Sequence, residues 1–469
     1  MNTHHGSGSA YGEGIAAALA DGWRFASLHA TTKDEGRMVR TLLSSKDGDL
    51  RIESVTAAPD SVPTIVDLCP AAGWDEREAH DLYGVGFDGH EPLRPLIDHD
   101  VALEQFATPV QGHDAYQVAV GPIHAGVIES GHFRFHVVGD LILHVDARLF
   151  YKHRGLERAA EGLALNDALG VVARSCSGCW ASNAVAYAHA CEGVLGLAAP
   201  PELARSRTIL LELERVWNTL NDISAICAGV GLAAGTSRFA ALVDDARRLN
   251  QRLTGHRFLF GSVAVGGSTL DVDASAISDA RETLARIRSE SSRAWKALLF
   301  NGSFIDRMPD IGIVDAATAS TLGTVGTAAR AAGVVEDLRT TSPRLAYDDF
   351  EVAVLRRQTG DVQARLEQRA LELLPCLDIL DRLLDGPVRP VASVRAEEGA
   401  SIGVGRVESP RGATTCIVER DGDRVGRVRL RTGSYANWPA VAHAAAGNLL
   451  PDFPLINKSF ELCYACVDR

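Results

Sequence analysis

Between Trp23 and Val55 three short runs, RFASLHA, RMVRTLL and LRIESV, alternate apolar and polar residues, separated by the turn-forming stretches Lys33-Asp34-Glu35-Gly36 and Lys46-Asp47-Gly48-Asp49. A period of two buries one face of an extended chain, so the pattern predicts a strand meander. Further on, GHFRFHVVGDLILHVDARL alternates on both sides of Gly139-Asp140, as a hairpin with one buried face does. The period then lengthens. Within Leu203 to Ile226, residues Leu210, Leu213, Trp217, Leu220 and Ile223 or Ile226 recur at three-to-four spacing and predict an amphipathic helix. Val362, Leu366, Leu373, Leu377 and Leu380 repeat the pattern within Thr359 to Leu384, interrupted by Pro375, which is expected to kink the helix. From Val388 to Leu430 valines, glycines and arginines alternate around an Asp421-Gly422 turn, predicting a small sheet beside the helices.

Trp74 to Ile97 forms a compact segment, and a polar stretch follows to about Gln117. These set the expected organisation: an α+β domain at residues 1–112, then a helix-rich domain with peripheral β-sheets at 113–469, for an overall α+β class. A chain of 469 residues exceeds what one core usually organises. With 46% hydrophobic and 23% charged residues it is neither disordered nor collagen-like. A net charge of −13 repels phosphate backbones, so no nucleic acid is expected as a partner. No run of about eighteen apolar residues occurs, and the opening MNTHHGSGSAYGEG lacks the basic and apolar regions of a secretory signal, so a cytoplasmic location is expected. The glycines of AGVGLAAGTS and ASIGVGRV do not join a strand to a helix within a βαβ unit, and no NAD is expected on this chain.

Nine cysteines, an odd count in a long chain, argue against a disulfide framework. Four are paired as Cys-x-x-Cys: Cys176 and Cys179 in RSCSGC, and Cys463 and Cys466 in ELCYACVDR. Short spacing lets both sulfurs of a pair face one point, so two pairs are able to surround a soft or borderline metal. Zinc modules keep their pairs roughly 15 to 20 residues apart, whereas here the gap is 284. The spacing alone leaves three readings open: a structural metal site, a redox or catalytic metal, and unrelated thiols.

The surrounding motifs narrow them. The segment WDEREAHDLYGVGFDGHEPLR resembles the signature of the 30 kDa-type subunit of complex I, while GPIHAGVIESGHFRF, YKHRGLER, ILLELERVWNTLNDISAI and NWPAVAHAAAGNLLPDFPLINKSF resemble its 49 kDa-type partner. With the four cysteines, nearly the whole chain resembles the large subunit of nickel-iron hydrogenases, in the complex I-related, formate hydrogenlyase-type (group 4) branch, where one chain typically carries both parts. The resemblance implies an oxidoreductase: the catalytic subunit of a multisubunit hydrogenase, interconverting H2 with protons and electrons. The alternative is a complex I-like, NADH-quinone oxidoreductase-type subunit, quinone-reactive or coupling, without hydrogenase activity. The cysteines speak against it, because complex I subunits of this fold lack both pairs. A non-catalytic scaffold whose thiols bind zinc or nothing is the third possibility.

In the family, four sulfurs hold nickel and two of them share an iron that carries carbon monoxide and cyanide. By position, the resemblance makes Cys176 and Cys463 terminal on nickel, and Cys179 and Cys466 bridging to iron. Arg411, in SPRGA, resembles the arginine suspended over the open metal position, and Glu129, in IESGHFR, the glutamate that relays protons away. His153, Arg154 and Glu157, in KHRGLER, would orient the cluster loops. The chain also departs from the pattern. Ser177 follows Cys176 where glycine is usual, Asn183 stands in place of a histidine with an amide still able to reach a thiolate, and Glu461-Leu462 replaces Asp-Pro. His132, His136 and His144, at strand spacing, are expected to be ordinary polar-face residues. The implied partners are an iron-sulfur small subunit of the complex I 20 kDa type, membrane subunits of a complex I-like assembly, formate dehydrogenase or ferredoxin, and hydrogenase maturation proteins. Through the membrane subunits the chain would sit on the inner face of the cell membrane.

Overall fold

The computed structural model describes residues 2–33, 36–110, 112, 114–124, 129–341, 344–348, 350, 352–395 and 398–469. The chain opens with β1 (Asn2–Gly6) and α1 (Gly8–Ala20), which the alternating pattern does not announce. The predicted meander follows as β2 (Arg24–Lys33), β3 (Gly36–Ser44) and β4 (Leu50–Thr56), antiparallel throughout, with β1 added parallel to β4 to give the order β1-β4-β3-β2. Strand alternation sorts the side chains onto two faces. On one, Leu28, Ala30, Val39, Leu43 and Val55 meet Tyr11, Ile15 and Ala18 of α1 and Ala79 of α2 (Gly73–Tyr83). On the other, Ala26, Leu42 and Ile52 pack against Ile417, far along the chain, so the N-terminal sheet meets the C-terminal sheet through an apolar seam. Gly84, at φ 64°, takes the left-handed turn that ends α2. Gln111 and His113, beside the expected boundary at residue 112, lie outside the described residues.

The second domain begins with the antiparallel sheet β5 (Tyr116–Val120), β6 (His132–Val138) and β7 (Leu141–Arg148), whose predicted hairpin turns at Gly139, φ 57°. The histidines depart from expectation. His132 and His136 are buried rather than on a polar face, and His136 and the partly exposed His144 both hydrogen-bond the Asp146 carboxylate, at 3.0 and 3.1 Å. Such a partner offsets the cost of burying the His136 imidazole.

The helical part comprises α3 (Trp180–Leu195), α4 (Pro201–Gly229), α5 (Ala233–Thr254), α6 (Ala274–Leu299) and α7 (Val362–Leu383). The predicted helix at Leu203 to Ile226 is α4, but it is not amphipathic. Its leucines are buried as expected, and so are Glu212, Glu214, Arg215, Asn218 and Asp222 on its other sides, because α3, α5 and α7 pack around it. A helix buried all round must pair its polar groups internally, and these pairings build the site below. Helix α7 is capped by the Asp361 side chain on Ala364 N at 2.7 Å and continues through Pro375 to Leu383.

The last sheet, β8 (Ile402–Ser409), β9 (Gly412–Asp421) and β10 (Arg424–Arg431), is antiparallel and turns at Gly422 as predicted. The glycines of the SIGVGRV run serve packing. A Cβ on Gly403 or Gly405 would lie 1.9 Å from the carbonyl oxygen of Ala190 or Ala186, so only glycine lets α3 rest directly on β8. Helices α8 (Gly433–Ala445), α9 (Phe453–Phe460) and α10 (Tyr464–Asp468) complete the fold. Among the described residues, no helix is long and apolar enough to cross a membrane.

Candidate metal centre

The two cysteine pairs meet. One ligand sulfur each from Cys176, Cys179, Cys463 and Cys466 lies within 4.8 Å of the others, and Cys179 Sγ stands 3.9 Å from Cys463 Sγ. Metal–thiolate bonds of about 2.3 Å place ligands on opposite sides of one ion about 4.6 Å apart, so the spread is that of four sulfurs around a common centre. Their electrostatics separate the four thiols. Hydrogen bonds from the other three thiols, assisted by Arg411, pull Cys463 well below the ordinary thiol range. The same sulfur neighbours push Cys179 and Cys466 well above it. One thiolate is thus favoured while Cys179 and Cys466 are held toward the neutral thiol, a set that a soft metal ion would deprotonate and bind.

The first pair enters from α3. Cys179 is the N-cap residue of that helix, whose first N–H groups are satisfied by Glu214 of α4: its carboxylate accepts from Ala181 N at 2.6 Å and Ser182 N at 3.0 Å. Burial raises the Glu214 carboxyl to about 7. Asn218, one turn along α4, donates Nδ2 to Gly178 O at 2.8 Å. Gly178 lies against the sulfurs, where a Cβ would make ordinary contacts at 3.5 Å from Cys176 Sγ and 3.6 Å from Cys463 Sγ, while the side chain of Ser177, the departure noted in the sequence, is exposed. Asn183 does not reach a thiolate. Its Nδ2 donates to Ser175 Oγ at 2.8 Å, bracing the residue before Cys176.

The second pair enters on the turn between α9 and α10. Glu461, at φ 49°, swings the chain round, and burial together with Asp222 pushes its carboxyl up to about 8. The loop is then tied from several sides. Ser434 Oγ accepts from Cys463 N at 3.0 Å, Thr432 Oγ1 donates to Cys466 O at 3.2 Å, and Glu129 Oε2 accepts from Tyr464 N and Ala465 N at 2.6 and 3.1 Å. Burial and then the Cys463 charge raise the Glu129 carboxyl above its ordinary value. Residues 125–128 of the same motif lie outside the described residues.

Arg411, at the β8–β9 turn, is buried beside the sulfurs. Its Nη1 pairs with Asp222 Oδ2 at 2.5 Å and its Nη2 donates to Asn218 Oδ1 at 3.2 Å. Burial opposes its charge, but Asp222 and the thiols of Cys463 and Cys179 hold its pKa well above the ordinary value. Arg411 Nε and Asp222 Oδ1 remain buried without a hydrogen-bond partner.

His153, Arg154 and Glu157 touch no sulfur. They join the two loops from behind: Arg154 Nη2 donates to Ser175 O at 2.9 Å, His153 Nδ1 to Asp468 O at 2.7 Å, and Glu157 Oε1 accepts from Arg469 Nη1 at 3.0 Å. Sequence reasoning missed Glu214, Asn218 and Asp222, although they recur at helical spacing opposite the leucines of α4. It also missed Thr432 and Ser434, which carry no signal beyond their place in the N-terminal turn of α8.

Comparisons with known proteins show what the chain is similar to. The family model of the respiratory-chain NADH dehydrogenase 30 Kd subunit matches residues 13–111, and that of the 49 Kd subunit matches residues 239–399 and 394–469. Formate hydrogenlyase subunit 5 of Escherichia coli (strain K12) is 30% identical over 451 residues, covering 90% of this chain and 79% of its own. The carbon monoxide-induced hydrogenase of Rhodospirillum rubrum is 29% identical, over 76% of this chain and 99% of its own. Among solved structures, a chain of the membrane-bound sulfane sulfur reductase, an archaeal respiratory membrane complex, superposes with a TM-score of 0.70 at 25% identity, covering 77% of this chain and all of that one.

Proposed function

We propose that this chain, which belongs to the family of complex I-related hydrogenase large subunits that includes formate hydrogenlyase subunit 5, is the catalytic subunit of a multisubunit nickel-iron hydrogenase. The observation that carries this is the convergence of four cysteine sulfurs, from pairs 284 residues apart, within 4.8 Å beside a buried arginine. A NADH dehydrogenase-type subunit has no use for such a donor set, and a structural zinc site does not call for Arg411.

Cys176, Cys179, Cys463 and Cys466 would hold nickel, with Cys179 and Cys466 shared with iron. Such a centre, when bound, supplies the redox chemistry that interconverts H2 with protons and electrons. The protein's own groups do the rest. Asp222 and Asn218 fix the Arg411 guanidinium in one orientation, so a permanent cation faces the sulfurs without having to reorganise. Burial excludes water from that side and strengthens its field. Glu129, with its carboxyl raised and its Oε2 against the second cysteine loop, takes the proton away from the cluster. Among the described residues no second group of clustered ligands is found, so electrons leave to an iron-sulfur partner subunit. Attachment to a membrane would come through further subunits of the assembly.

The test is nickel and iron content with an infrared scan for metal-bound carbonyl and cyanide, on protein from a host carrying hydrogenase maturation proteins. Near-equal nickel and iron with those bands is expected. Zinc alone, or no metal where a control hydrogenase matures, would overturn the proposal in favour of the complex I-like or scaffold role.

A further inference from the structure

We infer that Glu78, on helix α2 of the first domain, is a positioning residue for the second cysteine loop: through Arg469 it sets where Cys463 and Cys466 lie, which makes the first domain a working part of the metal centre. The inference rests on the four cysteines being a metal site.

Arg469 lies three residues beyond Cys466, and its guanidinium is buried at 2% exposure. It donates Nη2 to Glu78 Oε2 at 2.7 Å and Nη1 to Glu157 Oε1 at 3.0 Å and to Leu430 O, above the ring of Tyr435 at 4.8 Å. Glu78 is itself fixed, because its Oε1 accepts from Arg429 Nη1. Arg429 Nη2 in turn reaches Asp75 Oδ1 at 2.9 Å, and Asp75 Oδ2 pairs with Arg431 Nε at 3.0 Å. Two carboxylates one turn apart on α2 thus interleave with two arginines from alternate positions of β10 and with the one that follows the cysteine loop.

Removing the Glu78 charge alone leaves Arg469 with one carboxylate and Arg429 with another, all buried. Breaking one partner of a buried pair is costly, and the stranded cation moves when it finds room. Room exists: a cavity of about 210 Å³, lined by Glu78, Tyr83, His153, Glu157 and Arg469, borders this junction. Metal ligands tolerate displacements of only about 0.2 Å, so a swing of Arg469 is felt at Cys466.

The test uses the full-length chain in two forms. In metal-free protein, iodoacetamide labelling followed peptide by peptide should show Cys463 and Cys466 reacting about tenfold faster in Glu78→Gln, as expected for a local opening made easier by about 1.4 kcal/mol, with Cys176 and Cys179 changed less than about twofold. Glu78→Asp, which keeps the charge, should restore part of the protection. In protein matured with nickel, Glu78→Gln should lose metal faster to a chelator than wild type. Equal acceleration at both pairs, or none at either, would overturn the inference. If Glu78→Gln does not fold, Arg469→Lys is read the same way, since it keeps a charge but loses the fork that spans Glu78 and Glu157. Wild-type protein that binds no nickel, yet shows the selective labelling, would sink the hydrogenase proposal and leave the positioning role standing.

Discussion

The two cysteine loops reach the same point by different means. The first is built from neighbours: Cys179 caps α3, and the groups that hold its loop, Glu214 and Asn218 on the adjacent α4, lie 33 residues from Ala181 and 40 from Gly178. The second sits on a five-residue helix that would not form alone, and its ties run to Glu129, 335 residues away from Tyr464, and through Arg469 to Glu78, 391 residues away. One loop is fixed by a helix terminus and its packing, the other by hydrogen bonds from Glu129, Thr432 and Ser434 and, through Arg469, by a charge on α2. Contacts of such sequence separation carry a larger loop-closure cost than those of the first loop.

The largest effect comes from the sulfurs themselves, and it tests whether the loops form one site. Cys179→Ser and Cys463→Ser should each abolish nickel retention and hydrogen turnover together, because a hydroxyl is a poor ligand for a soft metal. Retention of nickel and activity in either variant would separate the loops and break the comparison at its root.

Next in size is Arg411, the group that faces both loops. Arg411→Lys should keep nickel and iron at wild-type content while turnover falls about a hundredfold, the scale of losing one preorganised charged donor. An ammonium lacks the fork with which Arg411 engages Asp222 and Asn218 at once. Measured turnover within a few-fold of wild type would show that the arginine is a structural tie and not part of the chemistry.

These contrasts also explain what the sequence made legible. The Cys-x-x-Cys pairs, the strand meander and the Gly139 and Gly422 hairpins are local patterns, and each stands where the spacing places it. The side of α4 opposite the leucines was legible as polar, but polarity on a helix ordinarily means solvent, and only the surrounding helices turn Glu214, Asn218 and Asp222 inward. The Asn183 amide was expected at a thiolate and serves Ser175 instead, because position on a helix does not specify which of two nearby acceptors is met. The pairing of Glu78 with Arg469 leaves no trace at all in a linear pattern, since each residue alone reads as an ordinary surface charge.

The smallest effect sharpens the comparison from the side of the first loop. Glu214 holds the start of α3 with its carboxyl raised to about 7, burial being the main cause. A carboxyl raised in the folded state favours folding in its protonated form, so its contribution is complete below about pH 4.5, the unfolded value, and is lost as the pH rises through about 7. Glu214→Gln should therefore flatten the pH dependence of thermal stability of the metal-free chain: between pH 5.5 and pH 8 the wild type loses about 2 kcal/mol that the variant does not. The amide oxygen still accepts from Ala181 N or Ser182 N, so labelling of Cys176 and Cys179 should change little. Parallel stability curves for wild type and variant would mean that Glu214 keeps its charge in the fold. The first loop would then depend on buried electrostatics as the second does, and the contrast between them would disappear.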